Sequence, residues 1–298
     1  MDHVGHDLAA PACPVLVTGA SGYLGSHVLA RIKAKRLSCV PTSRSSGPGE
    51  RCDLTDTASV QAMLDRTAPS VVIHCAAAVP ASAASYRDAV AAETSVSMLK
   101  AIADHARCPI VLASSMTVYG PTPDCPVDEE SETRPEPGYA RGKWMAEQVL
   151  FNRHRAGDVA LRLPGLFGLP RRSGVLYNAA KAFLTDGRFE LDPSTGPWAA
   201  MAVDDAAEYM TRAATMPSDE PAQAVNVGYG GDFSTVGVVA ELALACGVEW
   251  RPPSMLVTPF SMHLERMESR YGAVEGTFRQ RLGEFVEAVR HDLALEPA

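Results

Sequence analysis

A glycine-spaced turn near the amino terminus constrains this chain more than any other feature. The stretch Val15 to Gly25 reads VLVTGASGYLG, with Val15, Leu16 and Val17 followed by glycines at 19, 22 and 25. A short apolar run closed by glycine predicts a buried strand, and the residues after it predict a helix beginning near Tyr23. Each glycine has its own reason to be there. Gly19 makes the tight turn, Gly22 lets the backbone approach a pyrophosphate, and Gly25 lets helix and strand pack closely. The unpaired amides of the helix start, in the segment Ser21, Gly22, Tyr23 and Leu24, then face phosphates. Spaced glycines also gather in ordinary turns, so the motif gains weight from the strand before it and the helix after it.

Strand and helix signals alternate from there on, which is the pattern of a parallel sheet. Leu37 to Pro41 reads as a second strand, with Thr42, Ser43 and Arg44 in its exit loop. An acidic residue in that loop would grip a ribose 2′-hydroxyl, whereas an arginine accommodates a 2′-phosphate. The loop offers Ser43 and Arg44 and no acid, which favours NADP over NAD as the dinucleotide. Arg51 to Leu54 is a very short third strand that delivers Asp53 and Leu54 near the expected adenine site. A helix over 56–67 precedes a buried strand at Val71 to His74, closed by Cys75, Ala76, Ala77 and Ala78. Small side chains at the carboxyl end of a strand leave room for a ligand, although core packing explains alanines nearly as well. An alanine-rich helix over 82–107 and a fifth strand over 109–113 follow.

That strand runs into Ser114, Ser115, Met116 and Thr117, and a proline-rich acidic loop leads to Tyr139-Ala-Arg-Gly-Lys143 on a new helix. Tyr139 and Lys143, spaced i and i+4, share one helical face. A phenol titrates near 10, so acid/base work at neutral pH asks for about 3 units, or roughly 4 kcal/mol, of phenolate stabilisation. A neighbouring ammonium supplies part of it. The Ser115 hydroxyl would complete the site by hydrogen-bonding the oxygen of a reacting carbinol or carbonyl.

Composition narrows the partners. The chain has 298 residues, 46% hydrophobic and 21% charged, enough for one large α/β domain with an elaborated second lobe. A formal charge of −8 argues against a nucleic-acid partner, because such binding rests on clustered Lys and Arg. No run approaches the roughly 18 apolar residues of a membrane span. The first twelve residues carry acids and no apolar core, so they read as a disordered tail rather than a secretory signal. Seven scattered cysteines suit a reducing cytoplasm, and neither they nor the eight histidines have metal-site spacing, so no metal is expected. Ser21 in G-A-S-G is not a hydrolase nucleophile elbow.

TGASGYLG, Asp53-Leu54, HCAAA, SSMTVYG and YARGK, in this order, resemble the extended short-chain dehydrogenase/reductase family of NAD(P)-dependent nucleotide-sugar epimerases, dehydratases and reductases. The segments Arg162 to Gly168, which contains Pro164, Val203-Asp204-Asp205 and Val225 to Gly228 are similar to its later landmarks. The resemblance implies a doubly wound parallel (Rossmann) sheet over 13–163 and 202–235, with a smaller substrate lobe over 164–201 and 236–298. It implies Tyr139 as acid/base, Lys143 lowering its pKa and holding the nicotinamide ribose, and Ser115 positioning the substrate oxygen. It adds Gly19, Gly22, Gly25, Ala76 to Ala78 and Pro164 as cofactor contacts, and a homodimer through the helices near 82–107 and 139–155. Two departures bear on the reaction. Dehydratases of the family carry Asp-Glu after the catalytic hydroxyl residue, where this chain has Met116 and Thr117, so sugar dehydration is not expected. Many members also carry an arginine shortly before Val-Asp-Asp that grips a diphosphate, where this chain reads Trp198 to Met201. Arg171 or Arg172 would substitute, or the substrate lacks a nucleotide diphosphate. Substrate contacts are thus expected at Ser115, Met116, Thr117, Arg171 and Arg172. Hydride transfer at a secondary alcohol or ketone of a sugar-like substrate is the expected reaction, and a non-catalytic dinucleotide-binding redox sensor is the alternative.

Overall fold

In the computed structural model, described over residues 13–44, 49–78, 84–192, 198–253 and 259–295, the glycine turn lies at the centre of a parallel sheet. The tail expected at 1–12 and the start of the helix expected at 82 lie outside these residues. The chain runs through β1 (Val15–Thr18), α1 (Tyr23–Ala34), β2 (Cys39–Ser43), β3 (Glu50–Arg51), α2 (Thr57–Thr67) and β4 (Val71–His74). After a 3-10 turn at Ala84–Arg87 come α3 (Ala89–His105), β5 (Ile110–Ser115), α4 (Tyr139–Phe151) and β6 (Val159–Leu163). Then follow β7 (Gly165–Phe167), α5 (Val175–Asp186), β8 (Ala200–Ala202), α6 (Val203–Thr215) and β9 (Gln223–Asn226). Three helices close the chain, α7 (Thr235–Cys246), α8 (Glu265–Tyr271) and α9 (Phe278–Ala294).

Seven strands form the main sheet in the order β3-β2-β1-β4-β5-β6-β9, all parallel, and β7 pairs β8 in a second, two-stranded sheet. The strand order reverses at β1 and β4, so their crossovers diverge to opposite faces and leave a crevice at the carboxyl ends. Both faces are covered, which is why the strands are continuously apolar rather than alternating. Val15, Val17, Ile73, Val111 and Leu161 meet one core layer with α1 and α6, while Leu16, Val72, Leu112 and Ala160 meet α2, α3 and α4. The first of these layers continues without a break into Phe167, Phe233, Phe285 and Val289, so the carboxyl-terminal segments share the core of the sheet.

α4 ends at Phe151 rather than near 155, and four other expected boundaries move for local reasons. β2 begins at Cys39 and takes Ser43 into the strand, where it pairs with Arg51. β3 is Glu50–Arg51, which leaves Asp53 and Leu54 in the loop before α2. The Asp88 carboxylate accepts from the Ala91 amide at 3.1 Å, so the expected alanine-rich helix starts afresh at Ala89 after the 3-10 turn. β5 extends to Ser115, which pairs with Leu163 of β6. Both serines therefore sit within a strand and point to opposite faces.

Candidate active site

The glycine turn leaves no space for side chains. Gly19 has φ +66, and a Cβ there would stand 2.6 Å from the Ala76 backbone nitrogen, so only glycine joins β1 to α1 this close to the end of β4. A Cβ on Gly25 would stand 2.1 Å from the Gly19 carbonyl oxygen, so this glycine packs the helix on the turn itself. Gly22 is the N-cap, with no side-chain cap and no acid in the first turn, and Ser21 and Gly22 are exposed. The amides of the first helical turn therefore remain available to an anion. Leu24 packs on the core, and the Tyr23 hydroxyl donates to the Gly168 carbonyl at 2.9 Å. Ala76, Ala77 and Ala78 are half-buried along the crevice, and the Ala78 amide donates to Ser95 Oγ at 2.9 Å. This cradle fits a dinucleotide diphosphate.

At the far end of the crevice Arg44 is exposed just beyond β2, Ser43 is half-buried, and Leu54 is buried. Asp53 Oδ1 accepts from the Thr55 amide at 3.0 Å and the Thr55 hydroxyl at 2.7 Å. Those two bonds, aided by the Arg44 charge, hold its carboxyl below the usual range. The Arg44 charge thus acts on the Asp53 carboxylate at this end of the crevice.

Ser115, Tyr139 and Lys143 converge at the carboxyl edge of β5. Ser115 Oγ accepts from Thr117, at 3.3 Å from its amide and 3.0 Å from its hydroxyl, leaving the serine proton to donate outward. Burial raises the Tyr139 phenol, and the hydrogen bond with Ser115 and the charge of Arg171 pull it back down. Lys143 Nζ lies 5.6 Å from the centre of the Tyr139 ring and donates to the Ala113 carbonyl at 2.6 Å. Burial lowers its pKa to about 8, against the opposing pull of Cys75 and Glu147. The Tyr86 ring meets Tyr139 edge-on at 5.4 Å.

The expected substrate residues separate. Met116 turns into the core at 5% exposure, while Thr117 braces Ser115. Arg172 donates to Asp292 of α9 at 2.6 Å. Arg171 lies over the Tyr23 ring at 5.6 Å and hydrogen-bonds Ser173, with no ion pair to a carboxylate among the described residues. Pro164 lies between β6 and β7, and the next residue, Gly165, carries the Trp198 indole: a Cβ on Gly165 would stand 2.4 Å from Trp198 Nε1.

Sequence reasoning missed the polar girder under this edge. Ser114, on the opposite face from Ser115, donates to Glu147 at 2.5 Å, and Arg162 donates to both Glu147 oxygens at 3.1 and 2.8 Å. Arg162 also donates to Tyr119 at 3.0 Å, and Tyr119 to Asn226 at 2.6 Å. Glu147 follows Lys143 by one helical turn, so this buried pair ties α4 to β5 and β6 beneath Ser115, Tyr139 and Lys143. A glutamate on the otherwise apolar face of the YARGK helix was the available signal.

Comparison with known proteins agrees with this geometry. The chain is 28% identical over 149 residues to the UDP-glucose 4-epimerase of Rhizobium meliloti (strain 1021), covering 46% of this chain and 45% of the relative. It is 28% identical over 161 residues to the dTDP-4-keto-6-deoxy-D-glucose reductase of Streptomyces niveus, covering 51% and 52%. It is also 29% identical over 169 residues to methionine adenosyltransferase 2 subunit beta of Xenopus tropicalis, covering 54% and 49%. These matches span about half the length of the curated relatives. The fold is that of the UDP-glucose 4-epimerase of Thermotoga maritima, solved with UDP-glucose, at a TM-score of 0.76 and 19% identity over 94% of this chain and 99% of that one. The family model for NAD-dependent epimerases and dehydratases matches residues 15–228, most of the chain and every element of the site except the closing helices, and the protein belongs to the NAD-dependent epimerase/dehydratase family.

Proposed function

We propose that the protein transfers hydride between a nicotinamide dinucleotide and a secondary alcohol or ketone of a sugar-like substrate, as a reductase or an epimerase. The convergence of Ser115, Tyr139 and Lys143 beside the glycine cradle carries this reading. Gly19, Gly22 and the α1 amides would hold the diphosphate of the dinucleotide, and Lys143 its nicotinamide ribose. The bound dinucleotide supplies or accepts the hydride. Ser115 donates a hydrogen bond to the substrate oxygen, and Tyr139 gives or takes the proton at that oxygen. The Lys143 ammonium stabilises the phenolate that results. A redox sensor without catalysis would have no use for these three groups together.

Three finer readings belong with it. Arg44, exposed at the end of β2, favours NADP through charge-assisted bonds to a 2′-phosphate. Arg171, which lies over Tyr23 and pairs with no carboxylate among the described residues, is the cation for an anionic group of the substrate. The names of the relatives support a nucleotide-linked sugar, held by a lobe over 164–201 and 236–298. α3 and α4 pack side by side and expose Val90 and Met145, apolar side chains suited to a homodimer face.

The test is Tyr139→Phe, assayed with NADPH and NADH against UDP-glucose and a dTDP-4-keto sugar. Dinucleotide affinity stays within about twofold while turnover falls at least about 100-fold, the usual cost of losing an acid/base group. Undiminished turnover in the variant removes this mechanism.

A further inference from the structure

Among the described residues, two buried side-chain nitrogens lack a hydrogen-bond partner, one on Arg270 and the other Nε2 of His74. His74 ends β4, is 2% exposed, and has Nδ1 2.9 Å from Thr18 Oγ1. An orphaned ring nitrogen is costly in a protein interior and calls for an explanation.

Strand register says what the ring faces. His74 pairs with Leu112 of β5, and the next residue, Ala113, gives its carbonyl to Lys143. Alternation places His74 on the side of Val72 and Leu112, which is the side covered by α3 and α4. Lys143 descends from α4 onto that same side. The imidazole and the ammonium therefore share one buried corner, and the Lys143 charge joins burial in holding His74 neutral, with a pKa down to about 3.

The tautomer follows from this neighbour. Were Nε2 protonated, an N–H would face an ammonium that has only hydrogens to offer. With the proton on Nδ1, the ring donates to Thr18 and presents a lone pair at Nε2. The ammonium has three hydrogens: one goes to Ala113, and the others remain for the cleft and for His74.

We propose, on the reading of Tyr139 and Lys143 as the acid/base pair, that His74 is a positioning residue, its Nε2 lone pair keeping the Lys143 ammonium charged and aimed. Lys143 needs such an acceptor because burial lowers its pKa to about 8 even against the opposing pull of Cys75 and Glu147. Its other titratable neighbours give limited help. The Cys75 thiol, pushed up to about 12 by burial, stays neutral, and the Glu147 carboxylate is spent on Arg162 and Ser114. Tyr139 lies one turn earlier on the same helix, with Tyr86 and Arg171 acting on it from the far side.

Two substitutions separate the nitrogens. His74→Asn keeps a polar group at the Nδ1 position, facing Thr18, and removes the one at Nε2. His74→Gln puts an amide where Nε2 was. The readout is the pH dependence of Lys143 modification by trinitrobenzenesulfonate in the dinucleotide-free protein, followed by mass spectrometry of the peptide containing Tyr139 and Lys143. Losing an acceptor disfavours the charged amine, so in His74→Asn the midpoint falls by about one pH unit. In His74→Gln it returns to within about 0.3 unit of wild type, and the alkaline limb of turnover moves in parallel in both variants. An unchanged midpoint in His74→Asn, or equal shifts in both variants, overturns the proposal. Should His74→Asn fail to fold, Thr18→Val releases the tautomer and lowers the midpoint by about half a unit, and no shift there overturns the proposal as well. The labelling needs no substrate, so it stands apart from any failure of hydride transfer to the chosen sugars.

Discussion

The two ends of the cleft are built from different materials. Around Gly19 to Gly25 and Ala76 to Ala78 the site is largely backbone, shaped by the absence of side chains, and its tightest approaches join the ends of β1, α1 and β4. Around 164–201 the site is side chain, and its shape comes from partners far along the chain: Trp198 against Gly165, Arg172 on Asp292, Arg171 over Tyr23. The adjacent arginines make the point. One is consumed in anchoring α9 to the loop, and the other is left facing the cleft. A backbone site tolerates few sequences, whereas a side-chain site can be rebuilt residue by residue.

Breaking the backbone end should have the largest effect. Gly25→Val would drive a side chain into the Gly19 carbonyl, which has no rotamer to yield, so a loss of about 3 kcal/mol of stability is expected. Urea denaturation measures it, and fluorescence titration should find dinucleotide binding abolished in whatever folds. The arginine pair sharpens the contrast at the other end. Arg171→Ala should raise KM by about 10- to 100-fold, the worth of one or two hydrogen bonds to a charged group, with little change in melting temperature. Arg172→Ala should leave KM unchanged, because its partner is Asp292, and equal KM effects in steady-state kinetics would cancel the distinction. The smallest effect is expected at the adenosine rim. Arg44→Ala should weaken NADP(H) by about 10-fold and leave NAD(H) unaffected, as read by calorimetric titration of both. Equal losses would mean that Arg44 serves only Asp53.

Legibility in the sequence followed the same division. The strand, the glycine turn and the helix at 15–34 were readable because each is set by residues within a few positions of one another. Tyr139 and Lys143 could be placed together because i and i+4 must share a helical face, and Ser115 was picked out from the SSMTVYG segment just after an expected strand over 109–113 that in fact extends to it. Met116 and Thr117 were adjacent candidates that a single rotation of the chain sends apart, one into the core and one onto Ser115. Ser114 had no role in the sequence reading, and the pleat gives it to Glu147. His74 entered the sequence reading only as the first residue of HCAAA at the end of an apolar run, since its surroundings depend on a neighbouring strand and on a helix about seventy residues later.

By itself the sequence determined the parallel alternation, the glycine turn and the three residues, Ser115, Tyr139 and Lys143, that come together at the end of β5. These rest on short-range sterics, hydrophobic period and helical spacing, all of which act within one element and its connecting loops. Only the tertiary structure decided which arginine is free, which serine faces the cleft, and what lies behind Lys143. Those outcomes are settled by strand register and by burial, where a polar atom must find its partner across the sheet or go without, and no local pattern encodes that search.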